Sequence, residues 1–443
     1  MRRLWPGAVT ALLVVGCSGT IGGATHPSPD AAIADAPSGV DAAPSGVDAP
    51  PSGGDAAAPS DADAAPPSDT DAAPSGADAA GDGDAAGGCT GERLAWGANI
   101  HDGTSDPAGL AAVMAARRLT RARMDLWGLD AAYVARFRVA VTALAARGIE
   151  VEAVVFDDYS RDQPLSQDCA ADLATVEEHA YQQTRTSVQT VADLVPTFEL
   201  QNEVSLYPDI KLAGTTGQSA SDYDVPCGRL QAANLRGMSR AIVDERSSSG
   251  RPLTIILGTT DRSFGFLAYA EAQGVVFDVV GYHIYPWEGH SPLDQDPWFG
   301  AGGPLGQLAA FNRPIHLNEY NCGETYSGPP VYPGDPDYEN QIGQPVTEAC
   351  LRSLAKHLRE LVSQTAADVE SVHFYEMLDE PSKAPPENRF GLMYDLTSPK
   401  LHLAVAAAFS GGTLSDTEIS DVTARGLVTA AEISSWAGCG AGP

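Results

Sequence analysis

Beyond residue 93 the chain repeats one pattern eight times: a short run rich in Val, Ile and Leu, then a stretch long enough to return as a helix. The runs are Leu94 to Ile100, Leu119 to Asp125, Ile149 to Phe156, Pro196 to Asn202, Leu253 to Gly258, Phe277 to Tyr285, Pro314 to Glu319 and Val369 to Glu376. Helical periodicity fills intervals such as Ala131 to Arg147, Ala170 to Thr190, Gly228 to Arg246 and Thr347 to Thr365. Strands separated by helices of this length pair in parallel through right-handed crossovers, and a series that ends on the eighth strand points to closure. The expected fold is α/β, a (β/α)8 TIM barrel. An open doubly wound sheet competes with it, but no G-x-G-x-x-G or P-loop follows any strand, so nucleotide binding has no support.

The N-terminal region does not share the pattern. Met1-Arg2-Arg3, an apolar stretch from Leu12 to Val15 and then Gly16-Cys17 make a charged region, a short hydrophobic region and a small residue before a cysteine, an export signal over 1–17. Val14-Val15-Gly16-Cys17 resembles a bacterial lipobox, which implies cleavage before Cys17 and acylation of that residue. The apolar stretch is far shorter than the ~20 residues that span a bilayer. Membrane attachment is therefore expected only through lipidated Cys17, at the outer membrane or cell surface, each buried methylene contributing about 0.8 kcal/mol. An ordinary cleavable signal and a secreted product are the alternative.

From 18 to 88 the chain is Ala, Asp, Pro, Ser and Gly with imperfect repeats such as Ala43-Pro44-Ser45-Gly46-Val47-Asp48. With almost no large apolar side chain to offset ordering entropy, it reads as an extended, disordered linker. It carries twelve Asp and no Lys or Arg within a net charge of −31, and the remainder is still strongly acidic. That sign argues against a nucleic-acid partner. The folded domain is expected over 89–443, as a monomer and without a cofactor.

Six cysteines lie in that domain, and an even count in an exported chain favours disulfides. In a barrel the chain ends meet and successive βα loops are neighbours, so the expected pairs are Cys89 with Cys439, Cys169 with Cys227 and Cys322 with Cys350. No C-x-x-C or comparable spacing supports a zinc site.

A barrel of this kind carries its functional groups at the C-terminal ends of its strands. Those ends supply Asn99, His101 and Asp102; Arg123 and Asp125; Asp157 and Asp158; Asn202 and Glu203; His283 and Tyr285; Glu319; and Glu376. Glu203 and Glu319 close strands four and seven, which lie on opposite sides of an eight-stranded barrel and face each other across its mouth. Two carboxyl groups so placed suit glycosidic cleavage, in which one protonates the leaving oxygen and the other attacks or stabilises the oxocarbenium-like centre. Arg123 near Glu319 would favour its ionised, nucleophilic form, and Glu203 must start protonated. Trp96, Trp127, Tyr159, Trp287 and Trp298 are candidate stacking faces for pyranose rings.

Asn202-Glu203 after strand four, His283-Ile284-Tyr285 on strand six and Glu319 after strand seven resemble clan A of the glycoside hydrolases, retaining enzymes that include cellulases, mannanases, xylanases and galactanases. The resemblance covers roughly Leu94 to Phe409, and Glu387-Asn388-Arg389-Phe390-Gly391-Leu392 followed by Ser398-Pro399-Lys400 resembles the end of bacterial members. It implies Glu203 as general acid/base, Glu319 as nucleophile and Asn202 as donor to the sugar 2-hydroxyl. It further implies that Arg123 and Tyr285 orient the nucleophile and that His283 and Asn99 line the sugar subsite. From their places at or near strand ends, His101, Trp287 and Tyr375 are expected as further substrate contacts. The clan's tryptophan at the end of strand eight is missing; His373-Phe374-Tyr375-Glu376 stands there, with Phe374 or Tyr375 as its substitute.

The expected function is retaining, endo-acting hydrolysis of a β-linked extracellular polysaccharide. Two other readings stand beside it: a non-catalytic glycan-binding barrel, since binding and catalysis share one groove, and a metal-dependent hydrolase using His101, Asp102, His283 and Glu319, which lacks a compact ligand motif. Asp157-Asp158 and Asp379-Glu380 read as solvated loop charges.

Overall fold

The computed structural model describes residues 94–101, 105–158, 168–207, 209–285, 299–321, 348–364, 367–383 and 387–438. The export signal, Cys17, the linker, and the expected pairs Cys89–Cys439 and Cys322–Cys350 involve residues outside these. So do Asp102, Tyr159, Trp287 and Trp298.

Eight parallel strands close into a barrel in chain order: β1 (Ala95–Ile100), β2 (Arg121–Leu126), β3 (Glu150–Val155), β4 (Thr197–Leu200), β5 (Thr254–Thr260), β6 (Val279–Ile284), β7 (Ile315–Tyr320) and β8 (Val369–Phe374). Closure is made by β1 against β8, with Ala95 beside Ser371 and Ala98 beside Phe374. Each strand falls within a few residues of its expected run. The helices between them are α1 (Pro107–Ala116), α2 (Ala131–Ala145), α3 (Leu173–Gln189), α4 (Pro226–Ser249), α5 (Phe264–Ala272), α6 (Gly303–Ala309) and α7 (Glu348–Ser363). After β8 come a small antiparallel pair, β9 (Met393–Asp395) and β10 (Ser398–Pro399), and then α8 (Leu401–Ser410), α9 (Asp416–Ala424) and α10 (Ala430–Gly438).

Local sequence explains where these elements start. The side chains of Asp106, Asp130 and Asp172 accept backbone N–H groups in the first turns of α1, α2 and α3, satisfying donors that a helix start leaves unpaired. Ser415 and Glu418 form a reciprocal capping box at α9. On α7, Leu351, Leu354, Leu358 and Leu361 recur at helical spacing and are all buried against the barrel.

Alternation along each strand sorts side chains between two environments. Outward residues such as Ala122, Met124, Val151, Phe198, Leu257, Tyr282 and Phe374 join the apolar layer under the helices. Inward residues are polar to an unusual degree for a fold whose interior is generally filled by branched apolar side chains. Arg123, Glu152, Glu199, His283, His316, Ser371 and His373 are all buried inside. Room for them comes from glycines: a Cβ on Gly97 would lie 2.6 Å from the His373 ring, one on Gly258 2.8 Å from Glu199 Oε1, and one on Gly281 2.9 Å from Asn318 Nδ2.

Cys169 and Cys227 are disulfide-bonded, which ties the segment before α3 to the start of α4. Among the described residues no helix is long and apolar enough to cross a membrane.

Candidate active site

Arg123, at an inward position of β2, is the hub of the barrel mouth. Its Nε donates to Glu199 Oε2 at 2.6 Å, Nη1 to Asn99 Oδ1 and to Glu319 Oε1 at 2.8 Å each, and Nη2 to Asn202 Oδ1 at 2.7 Å. Four strands or strand ends thus converge on one guanidinium, whose rigid fork of donors suits several acceptors in a plane. Because a guanidinium only donates, Asn202 presents its amide oxygen to Arg123.

Glu203 and Glu319 reach the mouth by departures from regular strand geometry. On β7 the pairing with β6 runs Tyr282 with Leu317 and then His283 with Glu319, so Asn318 is an extra residue. Without that bulge, alternation from inward His316 would turn Glu319 outward; with it, Glu319 faces Arg123 and His283. After β4, Gln201 and Glu203 adopt φ of 61° and 46°, the left-handed region that non-glycine residues seldom occupy. Gln201 turns toward α4, where it donates to Asn234 Oδ1 at 2.7 Å and accepts from Gln231 at 2.9 Å, and Asn234 donates to Asp157 at 2.6 Å. This buried polar set anchors the turn that carries Asn202 and Glu203.

His283 of β6 stands between the two glutamates. Its Nδ1 lies 3.1 Å from Glu203 Oε1 and 3.3 Å from Glu319 Oε2, and one ligand atom from each of the three residues falls within 4.8 Å of the others. Tyr285 donates its hydroxyl to Glu319 Oε2 at 2.5 Å. Burial opposes charge on His283, but the surrounding Glu319, Glu199 and Glu203 carboxylates outweigh it and hold the imidazole well above its ordinary range. Glu199 shows the opposite balance: burial would raise it, yet Arg123 and His283 bring it down to about 2.

Seven of the residues expected at the site, Asn99, Arg123, Asn202, Glu203, His283, Tyr285 and Glu319, thus form one contact network. His101 and Tyr375 lie beside it. The Tyr375 ring meets the rings of Tyr285 and His101 edge-on at 6.0 and 5.5 Å, and its hydroxyl accepts from Lys383 Nζ at 2.7 Å. His101 Nε2 is 3.4 Å from Glu376 and its Nδ1 3.7 Å from Asp125. The proposed metal set is split: His101 groups with Glu376 and Glu380, whereas His283 groups with Glu203 and Glu319.

Several expectations are corrected. Trp96 stacks on Phe374 in the outer apolar core, so neither offers a face to the mouth, and Tyr375 is left as the strand-eight aromatic near the site. Asp157 is 3% exposed and bonded to Asn234, and Asp379 accepts from Lys400 Nζ at 2.6 Å; only Asp158 of the first pair is exposed. Sequence reasoning passed over Glu199, although a charged residue between Phe198 and Leu200 in an apolar strand was a usable signal.

No family model matches the chain, and no curated protein sequence does. Solved structures do. The β-glucosidase from Thermotoga maritima in complex with castanospermine aligns at a TM-score of 0.50 and 11% identity, over 73% of this chain and 99% of that one. The shared feature is the TIM barrel. The exo-beta-1,4-mannosidase Op5Man5 from Opitutaceae bacterium strain TAV5 aligns at 17% identity and a TM-score of 0.46, over 71% of this chain and 59% of that one.

Proposed function

We propose that this protein is a retaining O-glycosidase with Glu319 as nucleophile and Glu203 as acid/base. The observation that carries the reading is that one oxygen of each carboxylate lies within 4.8 Å of the other across the mouth of the barrel, with His283 Nδ1 3.1 Å from Glu203 and 3.3 Å from Glu319. Double displacement uses carboxyl groups about 5–5.5 Å apart, whereas inversion needs about 6.5–9.5 Å to admit a water. Glu319 attacks the anomeric carbon while Glu203 transfers its proton to the departing glycosidic oxygen. A water that gives its proton back to Glu203 then displaces Glu319 and regenerates the free enzyme. Arg123 and Tyr285 hold the two Glu319 oxygens through donors that favour the carboxylate. Asn202, fixed by Arg123, supplies an amide donor for the sugar 2-hydroxyl. The neighbour that shares the fold is named a β-glucosidase, in keeping with a glycosidase reading.

The proposed substrate is a β-linked extracellular polysaccharide cleaved internally, met by a monomer that is exported and lipid-anchored through Cys17. A Cys17→Ser chain released from the membrane fraction supports the anchor; one that stays there overturns it. For activity, the full-length protein is assayed for reducing ends on cellulose, mannan, xylan and galactan, with anomeric configuration followed by NMR. Retention is expected, with turnover reduced at least about 10³-fold in Glu319→Ala. An inverted product, or an active Glu319→Ala protein, would overturn the reading. No release from any polymer, with affinity unchanged in Glu319→Ala, would indicate the glycan-binding barrel, and loss of activity on chelation would favour the metal-dependent hydrolase.

A further inference from the structure

Glu199 takes no part in the reaction described above, yet it is fully buried at the floor of the site. From β4 it belongs to a buried set of charged or titratable groups that five other strands supply. Arg123 of β2 donates to its Oε2 at 2.6 Å, and Glu152 of β3 lies 4.0 Å from the same Arg123 nitrogen. His283 Nε2 of β6 is 3.8 Å from Oε1, Glu319 of β7 shares the guanidinium, and the charge on Glu199 is felt at His373 of β8. β5 contributes Gly258, whose missing side chain leaves Oε1 its space.

The charges decide what this residue does. Arg123 is a permanent cation, and His283 faces oxygens of three glutamates, with Arg123 Nη2 3.5 Å from its Nε2. Before the first chemical step Glu319 must be an anion and Glu203 must carry a proton. With Glu152 matched by His316, whose Nδ1 lies 3.0 Å from it, Arg123 and an imidazolium at His283 would then face Glu319 as their single anion, and the nearest relief in a dry site would be loss of the Glu203 or His283 proton. An ionised Glu199 brings the set to neutrality with both protons in place.

We propose that Glu199 is a positioning residue for this reaction, balancing Arg123 and His283 from below so that Glu203 keeps its proton in the resting site. The proposal rests on the glycosidase reading. It concerns a residue that touches neither the sugar nor the reacting atoms.

The test uses the full-length protein and two readouts. Histidine-labelled NMR follows the His283 ring. In the wild type it is expected to remain an imidazolium at pH 7, and Glu199→Gln should move its titration to lower pH by about one unit or more. The second readout is the pH dependence of kcat/KM on whichever polymer of the panel is cleaved. Its alkaline limb, which reports the acid form, should move to lower pH by about one unit in Glu199→Gln and stay in place in Glu199→Asp, which restores the charge while lowering kcat.

A Glu199→Gln protein with reduced kcat but an unmoved limb and an unmoved His283 titration would assign Glu199 a purely structural role and overturn the proposal. A neutral His283 at pH 7 in the wild type would overturn it without any variant, so a poorly folding substitution leaves the test intact. An active Glu319→Ala protein would instead overturn the glycosidase reading, an outcome separate from both readouts on Glu199.

Discussion

Tyr285 and Arg123 divide the two oxygens of Glu319 between them, the hydroxyl at 2.5 Å and the guanidinium at 2.8 Å. A hydrogen bond to a charged group contributes about 1.5–3 kcal/mol. If Glu319 is the nucleophile, Tyr285→Phe should lower kcat by about 10–100-fold, with a smaller change in KM, as measured by steady-state kinetics. Unchanged kcat would remove Tyr285 from the orienting set. At this scale residue types and order were legible in the sequence, because Asn202-Glu203, His283-Ile284-Tyr285 and Glu319 each sit at a strand end. Their partners were less so. That Arg123 reaches Asn99, Glu199, Asn202 and Glu319 at once depends on four strands bending around one axis, which spacing along the chain does not encode.

At the scale of elements, β3, β7 and β8 are joined beneath the site by His316. Its Nδ1 is 3.0 Å from Glu152 Oε2 and its Nε2 3.5 Å from Glu370 Oε2. Burial opposes the charged ring, but bonds to these carboxylates raise it to about 9. The folded state therefore binds a proton that the unfolded chain, with an ordinary histidine near 6.5, releases earlier. The resulting stabilisation is fully present below about pH 6.5 and is lost as pH rises through about 9, on the order of 3 kcal/mol across that window. Denaturant unfolding at pH 6 and pH 9.5 should show this fall, and His316→Gln should flatten it; an equal slope in both proteins would refute the assignment. His373 beside it goes the other way. Its burial and the neighbouring His316 and Arg123 charges hold it well below the usual range, and neither ring nitrogen has a hydrogen-bond partner among the described residues. The strands themselves were readable from their apolar runs. The bulge at Asn318 was not, and it is what turns Glu319 inward, since a one-residue insertion reverses the face of every side chain after it.

Across the whole molecule, the Cys169–Cys227 bond closes a separation of 58 residues that contains α3, β4 and the turn bearing Glu203. The chain-entropy cost it removes from the unfolded state is about 4 kcal/mol for a loop of this length. Replacing both cysteines by serine should lower the urea midpoint accordingly, and an unchanged midpoint would show that the bond does not constrain the unfolded chain. The amino-acid sequence by itself determined the barrel. Eight apolar runs separated by helix-length intervals call for parallel strands covered on both faces, a series ending on the eighth strand points to closure, and strand-end chemistry follows from that topology. Only the tertiary structure decided how the mouth is wired. A bulge, two left-handed residues after β4 and a charged floor containing Glu199 set the distance between Glu203 and Glu319, because that distance depends on backbone irregularities and on charges brought together from strands far apart in the chain.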